Sequence, residues 1–137
     1  MVRLNRTKLT KGQLDALFTQ MSSAIGKLSK NEIGYFLSEL LGEEERVMLA
    51  KRLAIIILLQ EGNTLYSIAQ ILKVSPTTAE KIKYKLDKGE YSHVVSALHR
   101  SKREYLVILD TLDSILHLGG LLPHRCGLER YRILKQL

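Results

Sequence analysis

Apolar residues recur along this chain at intervals of three and four, and no segment makes a convincing β-strand. Such intervals place side chains on one face of an α-helix. The pattern predicts helices over about 11–25, 29–41, 43–61, 64–72, 76–88, 91–98 and 105–116. We therefore expect an all-α, multi-helix protein.

Two of the predicted helices begin with a capping box, in which residues three apart satisfy each other's backbone N–H groups. Thr10 with Gln13 begins the first helix, and Ser29 with Glu32 begins the second. We expect each helix to bury its apolar face, namely Leu14, Leu17, Phe18, Met21 and Ile25 on the first and Ile33, Phe36, Leu37, Leu40 and Leu41 on the second.

The third predicted helix starts with three glutamates, Glu43 to Glu45, where the helix dipole favours negative charge. Its second half, LAIIILL at residues 53–59, is apolar on every side. A helix of this kind must be enclosed by its own chain or by a partner. In so short a chain, enclosure by several helices suggests a core shared between two copies, so we expect a homodimer.

The rest of the chain is interpreted around residues 64–88, where two short helices are joined by a tight turn. Ser75 is a good N-cap, and Pro76 suits the first helical position because its missing N–H is not needed there. The apolar residues that close the two helices on each other are Ile68, Ala69, Leu72, Val74, Ala79, Ile82 and Leu86. This arrangement is a helix-turn-helix.

The first residue of that turn is unusual. A helix-turn-helix commonly has positive φ there, which glycine adopts without cost, but this chain has Lys73. We expect either local strain or a slightly different turn.

The second helix of the pair has an apolar inner face and an outer face of polar and basic residues. A protruding helix of this kind can enter the DNA major groove. We expect base contacts from Thr77, Thr78, Lys81 and Glu80, and phosphate contacts from Tyr66, Ser67, Lys83, Lys85 and Arg103, with Ser75 also in the interface.

Composition agrees with an anionic partner. The chain has 137 residues, a net charge of +7 and a pI near 9.6, which fits nucleic acid or an acidic membrane surface. The lone Cys126 fits a reducing compartment, and we expect a cytoplasmic protein. The longest apolar run, residues 53–59, is too short to span a bilayer, so we expect no membrane partner.

An acidic helix start is followed directly by a long apolar helix and then by a helix-turn-helix. These features occupy residues 43–86, EEERVMLAKRLAIIILLQEGNTLYSIAQILKVSPTTAEKIKYKL. In this order, and in the continuation LDKGEYSHVV, residues 30–98 resemble the bacterial tryptophan-repressor superfamily, in particular its repressor-like branch. The resemblance implies an intertwined helical homodimer that places two recognition helices in successive major grooves.

The resemblance also identifies where a co-repressor would lie. In the family two arginines sandwich the indole, and Arg52 matches the first of them. Lys81 stands at the second position, where an ammonium cannot stack as a guanidinium does, and Ile82 replaces a glycine that leaves room for the ring. We expect no tryptophan binding, and an effector pocket near Arg52 and Lys81 stays open for an unknown ligand.

No catalytic constellation is apparent, so we expect no enzyme. His117, His124 and Cys126 lack a fourth ligand at suitable spacing, and we expect neither metal nor cofactor. We divide the chain into a DNA-binding domain, residues 1–98, and a C-terminal helical extension, residues 99–137.

Together these observations predict a homodimeric protein that binds double-stranded DNA sequence-specifically and regulates transcription. One alternative is the DNA-recognition subunit of a transposase. Another is a helical protein-interaction module, without specific DNA binding, whose apolar arm at residues 105–116 binds a partner protein.

Overall fold

The computed structural model describes residues 8–118. This part of the chain contains helices and no strands, which confirms the all-α prediction. The helices are α1 (Lys11–Ile25), α2 (Lys30–Leu40), α3 (Glu43–Gln60), α4 (Leu65–Leu72), α5 (Pro76–Asp87), α6 (Ser92–Arg100) and α7 (Lys102–Leu118). Within the described residues, no helix is long and apolar enough to cross a membrane.

The chain divides into two compact units, and the boundary falls between Arg46 and Val47, inside α3. The N-terminal unit carries α1, α2 and the start of α3. The C-terminal unit carries the rest of α3 and the four helices that follow. The predicted division after residue 98 stays a prediction.

Both predicted capping boxes are present in the N-terminal unit. Thr10 and Gln13 exchange hydrogen bonds at the start of α1, and Ser29 and Glu32 do the same at the start of α2. The side chain and the backbone N–H of Ser29 bond the Glu32 carboxylate and hold its pKa below the usual value. The helix starts are therefore set by local sequence, as expected.

The apolar faces of the same unit are not covered, and here the predicted burial is wrong for the single chain. Neither α1 nor α2 has a buried residue, and Phe18 is 65% exposed. Leu14, Leu17, Leu37 and Leu40 are also exposed, whereas Met21, Ile25, Ile33, Phe36 and Leu41 are partly buried. Helix formation needs only the local pattern, but burial needs a second surface, and residues 8–118 supply little of one.

The apolar half of α3 is enclosed, as its sequence requires. Residues 54–58 are all buried, and Ile55 and Ile57 have no exposed surface. They pack in one core with residues of α4, α5 and α7, namely Ile68, Ile71, Leu72, Ala79, Ile82, Tyr105, Leu109 and Leu112. Full burial of one such side chain contributes about 1.5–3 kcal/mol. The enclosure that suggested a dimer core is therefore provided by the chain itself.

Helix α7 contributes to this core rather than forming a free arm. Tyr105, Leu109 and Leu112 are nearly fully buried, and the Tyr105 hydroxyl donates a hydrogen bond to Glu61. In the interaction-module alternative, the apolar face of this helix binds a partner protein. These three residues instead pack in the core of their own chain. The structure describes neither the side chains of Leu116 and His117 nor residues 1–7 and 119–137, the last of which include His124 and Cys126.

Three helices of the C-terminal unit end in the same way, with a left-handed residue followed by a backbone hydrogen bond back to the last turn. Gly62 and Gly89 provide the positive φ after α3 and α5, and Asn63 and Glu90 donate to the carbonyls of residues 58 and 85. After α4 the left-handed residue is Lys73, at φ 53° and ψ 49°. Strain was one of the two expected outcomes at Lys73, and the structure has the strained conformation.

We predict that Lys73→Gly stabilises the protein by about 1 kcal/mol, because glycine adopts this conformation without the steric cost that a Cβ carries. Urea unfolding measures the change. Lys73→Ala is the matched control, since it removes the same charge and keeps the Cβ, and it should give no comparable gain. Equal stabilisation by both variants would assign the effect to charge instead of backbone strain.

Candidate nucleic-acid interface

The predicted helix-turn-helix is formed by α4, the turn at residues 73–75 and α5. Ile68 and Ala79 have no exposed surface, and Ala69 and Ile82 are also buried. The two helices therefore pack against each other through small and branched apolar residues. Val74 packs against this core from the corner. Lys51 of α3 donates a hydrogen bond to the carbonyl of Lys73 at 3.3 Å and so ties the turn to the long helix.

The start of α5 is fixed by its N-cap. The Ser75 hydroxyl accepts the backbone N–H of Thr78 at 3.2 Å, and the Ser75 and Thr78 hydroxyls are 2.7 Å apart. Pro76 occupies the first turn, as predicted. Ser75 and Thr78 are therefore partners within the protein, whereas Thr77 and Glu80 are exposed without such a bond in the described residues.

The exposed face of α5 is basic. Lys81, Lys83 and Lys85 are all exposed. Lys83 pairs with Asp87 at 3.2 Å and Lys85 with Glu90 at 3.9 Å. Ion pairs this exposed contribute only about 0–1 kcal/mol to stability. Both ammonium groups can therefore exchange their carboxylate partner for an anion that binds more strongly.

On α4 the exposed polar residues lie near the helix start. Tyr66 is 70% exposed, and its hydroxyl accepts a hydrogen bond from Gln70 at 2.6 Å, which leaves its own proton free to donate. Ser67 is partly buried, and its N–H is bonded to the Thr64 hydroxyl. Gln70 was missed by sequence reasoning, although its spacing of four from Tyr66 on a helix is the signal that could have found it.

A cavity of about 330 Å³ brings together the two residues of the predicted effector pocket, Arg52 of α3 and Lys81 of α5. Lys51, Lys85 and Thr78 also line it. None of the described residues that line the cavity is acidic, although Glu90 pairs with Lys85 beside it. Lys51 was not predicted as a lining residue, because only the packing of α5 on α3 places it there.

Arg103 lies on a different element, in the first turn of α7, and is exposed. No hydrogen bond or ion pair joins its side chain to α4 or α5 in the described part of the chain. The structure thus groups Tyr66, Ser67, Ser75, Thr77, Thr78, Glu80, Lys81, Lys83 and Lys85 on the helix-turn-helix and leaves Arg103 apart from them. DNA contact by any of these residues stays a prediction.

In a comparison with known families, the family model described as Trp repressor protein matches residues 12–102. The matched segment runs from the second residue of α1 to the first residue of α7. No curated protein and no solved structure matches the chain.

We predict that Ser75→Ala destabilises the protein by about 1 kcal/mol, because it removes the N-cap of α5. Ser75→Asp should retain most of the stability, since a carboxylate caps as well as a hydroxyl does. Ser92→Ala, at an exposed helix position that caps nothing, is the control and should change stability by less than about 0.5 kcal/mol. Thermal or urea unfolding compares the three, and equal losses for Ala and Asp at position 75 would contradict a capping role.

Proposed function

Because this chain belongs to the Trp repressor protein family, a family of DNA-binding regulators rather than enzymes, we propose that it binds specific double-stranded DNA sequences and regulates transcription. It acts as a homodimer in the cytoplasm. The observation that carries the proposal is the position of α5. Its inner face is fixed in the core by Ala79 and Ile82, and its outer face presents hydroxyl, carboxylate and ammonium groups.

Rigid support of α5 favours base recognition. Base contacts require side chains held in register with base edges, and phosphate contacts provide most of the affinity without sequence information. In our proposal Thr77, Glu80 and Lys81 contact base edges, where Glu80 accepts from the cytosine amino group. Thr78, whose hydroxyl is bonded to Ser75, contributes chiefly by fixing the start of the helix.

Phosphate contacts are proposed for exposed groups on both sides of the base-reading residues. Lys83 and Lys85 exchange their weak carboxylate partners for phosphate, and Tyr66 donates its hydroxyl proton while Gln70 holds the ring orientation. Ser67 lies in the first turn of α4, where the helix dipole also favours an anion. Arg103, which is separate from this group, is proposed as an additional contact.

The homodimer is supported by the open apolar surface of α1 and α2 and by the family. Leu14, Leu17 and Phe18 lie on one face of α1 and are each more than half exposed. Val47, Met48 and Leu49 are also exposed at the start of the C-terminal unit. Large apolar side chains exposed together on one helix face, as on α1, are typical of a protein–protein contact, and a second copy of the chain provides an apolar surface of the same kind.

The test of the function is selection of bound sequences from a random duplex pool at roughly physiological salt. We expect a two-fold-related motif whose half-sites are about 10 base pairs apart, because two recognition helices of a dimer enter successive major grooves. Binding without sequence enrichment that disappears as salt rises would overturn the proposal and favour an interaction module. An enriched site without two-fold symmetry would instead favour the recognition subunit of a transposase.

Two substitutions on α5 separate base recognition from phosphate contact. Thr77→Val keeps the shape and removes the hydroxyl, so it should weaken the selected site by about 1–3 kcal/mol and leave random duplex binding nearly unchanged. Lys83→Gln should weaken both duplexes alike and reduce the salt slope by about one unit. Fluorescence anisotropy over a salt series measures both, and indistinguishable effects of the two variants would contradict this division of roles.

The dimer is tested by charge placed on the apolar face of α1. We expect Phe18→Glu to convert the dimer to monomer at micromolar concentration, because a carboxylate is costly to bury in an apolar contact. Gln20→Glu adds the same charge at another exposed position of the helix and should leave the dimer intact. Light scattering after size exclusion gives the mass, and a wild-type monomer would contradict the proposed assembly.

A further inference from the structure

An apolar groove of about 460 Å³ lies between α3, α4 and α7 in the C-terminal unit. Its lining is mostly aliphatic and consists of Ala50, Leu53, Ala54, Ile71, Leu72, Val107, Ile108 and Leu112, with Lys51 and Thr111. Val107 is 53% exposed, and Ala50 and Thr111 are exposed as well. Residues 8–118 therefore leave apolar surface of this groove open to solvent.

The two polar side chains that line the apolar groove already bond within the protein. The Thr111 hydroxyl donates to the carbonyl of Val107 at 2.9 Å, and the Lys51 ammonium donates to the carbonyl of Lys73 at 3.3 Å. A small polar ligand would find few groups that fix its orientation, which ligand pockets typically provide. The apolar groove is better suited to a row of apolar side chains.

Helix α7, which forms one wall of the groove, leads into a segment that can reach it. Val107 lies about three turns before Leu118, or roughly 16 Å along the helix axis. Residues 119–137, the C-terminal segment, begin with two glycines, and Pro123 follows them, a composition typical of a turn. A helix over residues 124–137 would be about 21 Å long. The C-terminal segment is therefore long enough to return along the groove.

The sequence of the C-terminal segment is amphipathic at helical spacing. Polar residues recur at intervals of four, three and four, namely Arg125, Glu129, Arg132 and Gln136. The other side of such a helix has the apolar residues Tyr131, Ile133, Leu134 and Leu137. Arg130 interrupts this side, but the aliphatic stem of an arginine can lie along apolar surface while its charge reaches water. The apolar side thus matches the chemistry of the groove.

The distribution of charge favours one direction for the returning segment. In a pair of antiparallel helices, the end of the C-terminal segment lies beside the start of α7. Glu104 is exposed there, one turn before Val107 on the same side of the helix. The end of the segment carries Arg132 and Lys135. Opposite charges therefore favour the antiparallel direction, although exposed ion pairs add little stability.

We propose that residues 124–137 form a helix that returns antiparallel to α7 and docks its apolar side in the apolar groove of the same chain. The short connection makes docking intramolecular, at an effective concentration far above that of a second copy in micromolar solution. The α7 wall of the groove lies beyond residue 102, where the match to the family model ends. The docked segment closes this side of the C-terminal unit to other proteins.

The position of the segment is tested on the full chain with a nitroxide attached at Gln136→Cys. A Cys126→Ser background leaves one thiol, and position 136 is on the polar side of the segment, so the label does not enter the groove. We expect strong broadening of the methyl signals of Ile71 and Ile108, which line the groove, and weaker broadening of Ile82, which lines the other cavity. Equally weak broadening of all three would overturn the proposal.

A mixed sample distinguishes docking within one chain from docking on a second copy. Nitroxide-labelled chain without methyl isotopes is combined with methyl-labelled chain without nitroxide. We expect the signals of Ile71 and Ile108 to stay sharp in this mixture. Broadening as strong as in the doubly labelled chain would contradict docking within one chain and assign the groove to the C-terminal segment of a second copy.

Two charge substitutions in the full chain measure whether the groove and the segment meet. Val107→Glu and Ile133→Glu should each lower the urea midpoint, because each places a carboxylate in an apolar contact. In the double variant the midpoint should fall no further than in the more affected single variant, because the contact is already lost.

Gln136→Glu is the matched control, since it adds the same charge on the polar side of the segment, and it should leave the urea midpoint nearly unchanged. An unchanged midpoint in Val107→Glu would mean that nothing covers this residue, and the proposal would fail. Losses that add in the double variant would also refute it, because the groove and the segment would then act independently. A loss confined to Val107→Glu that depends on protein concentration would assign the groove to another copy.

Discussion

The C-terminal unit depends on the burial of the apolar half of α3. Residues 54–58 cannot face water, and α4, α5 and α7 pack around them. Because that burial is strong, the helix-turn-helix is attached to a rigid axis instead of being joined by a flexible linker. Even the strained Lys73 is tolerated there, since the helices on both sides of the turn are fixed by Ile68 and Ala79, which have no exposed surface.

This packing has a functional consequence on the opposite side of α5. A helix whose inner face is closed by Ala79 and Ile82 holds its outer side chains in register. The same close approach of α5 to α3 brings Lys81 beside Arg52 and creates the basic cavity. One contact between helices therefore positions both the proposed DNA-contacting face and the cavity that holds the predicted effector-pocket residues.

The N-terminal unit is arranged differently. Its helices are locally well specified by the Thr10–Gln13 and Ser29–Glu32 boxes, yet Phe18 and its neighbours remain exposed. An amphipathic helix gains most of its stability from the surface it packs on. A unit with good caps and open apolar faces is therefore suited to complete its core by association.

The sequence by itself determined the helices, the ends of α1 to α5 and the helix-turn-helix, because hydrophobic spacing, N-caps and Pro76 act over a few neighbouring residues. The boundary between α6 and α7 was predicted less well, since α7 begins at Lys102 and not at residue 105. It also indicated which residues of α5 face outward. Only the tertiary structure decided that Tyr105, Leu109 and Leu112 close the core around α3, that α1 stays open, and that Lys51 joins the cavity. Those outcomes depend on which surfaces meet, and residues far apart in the chain meet only through packing.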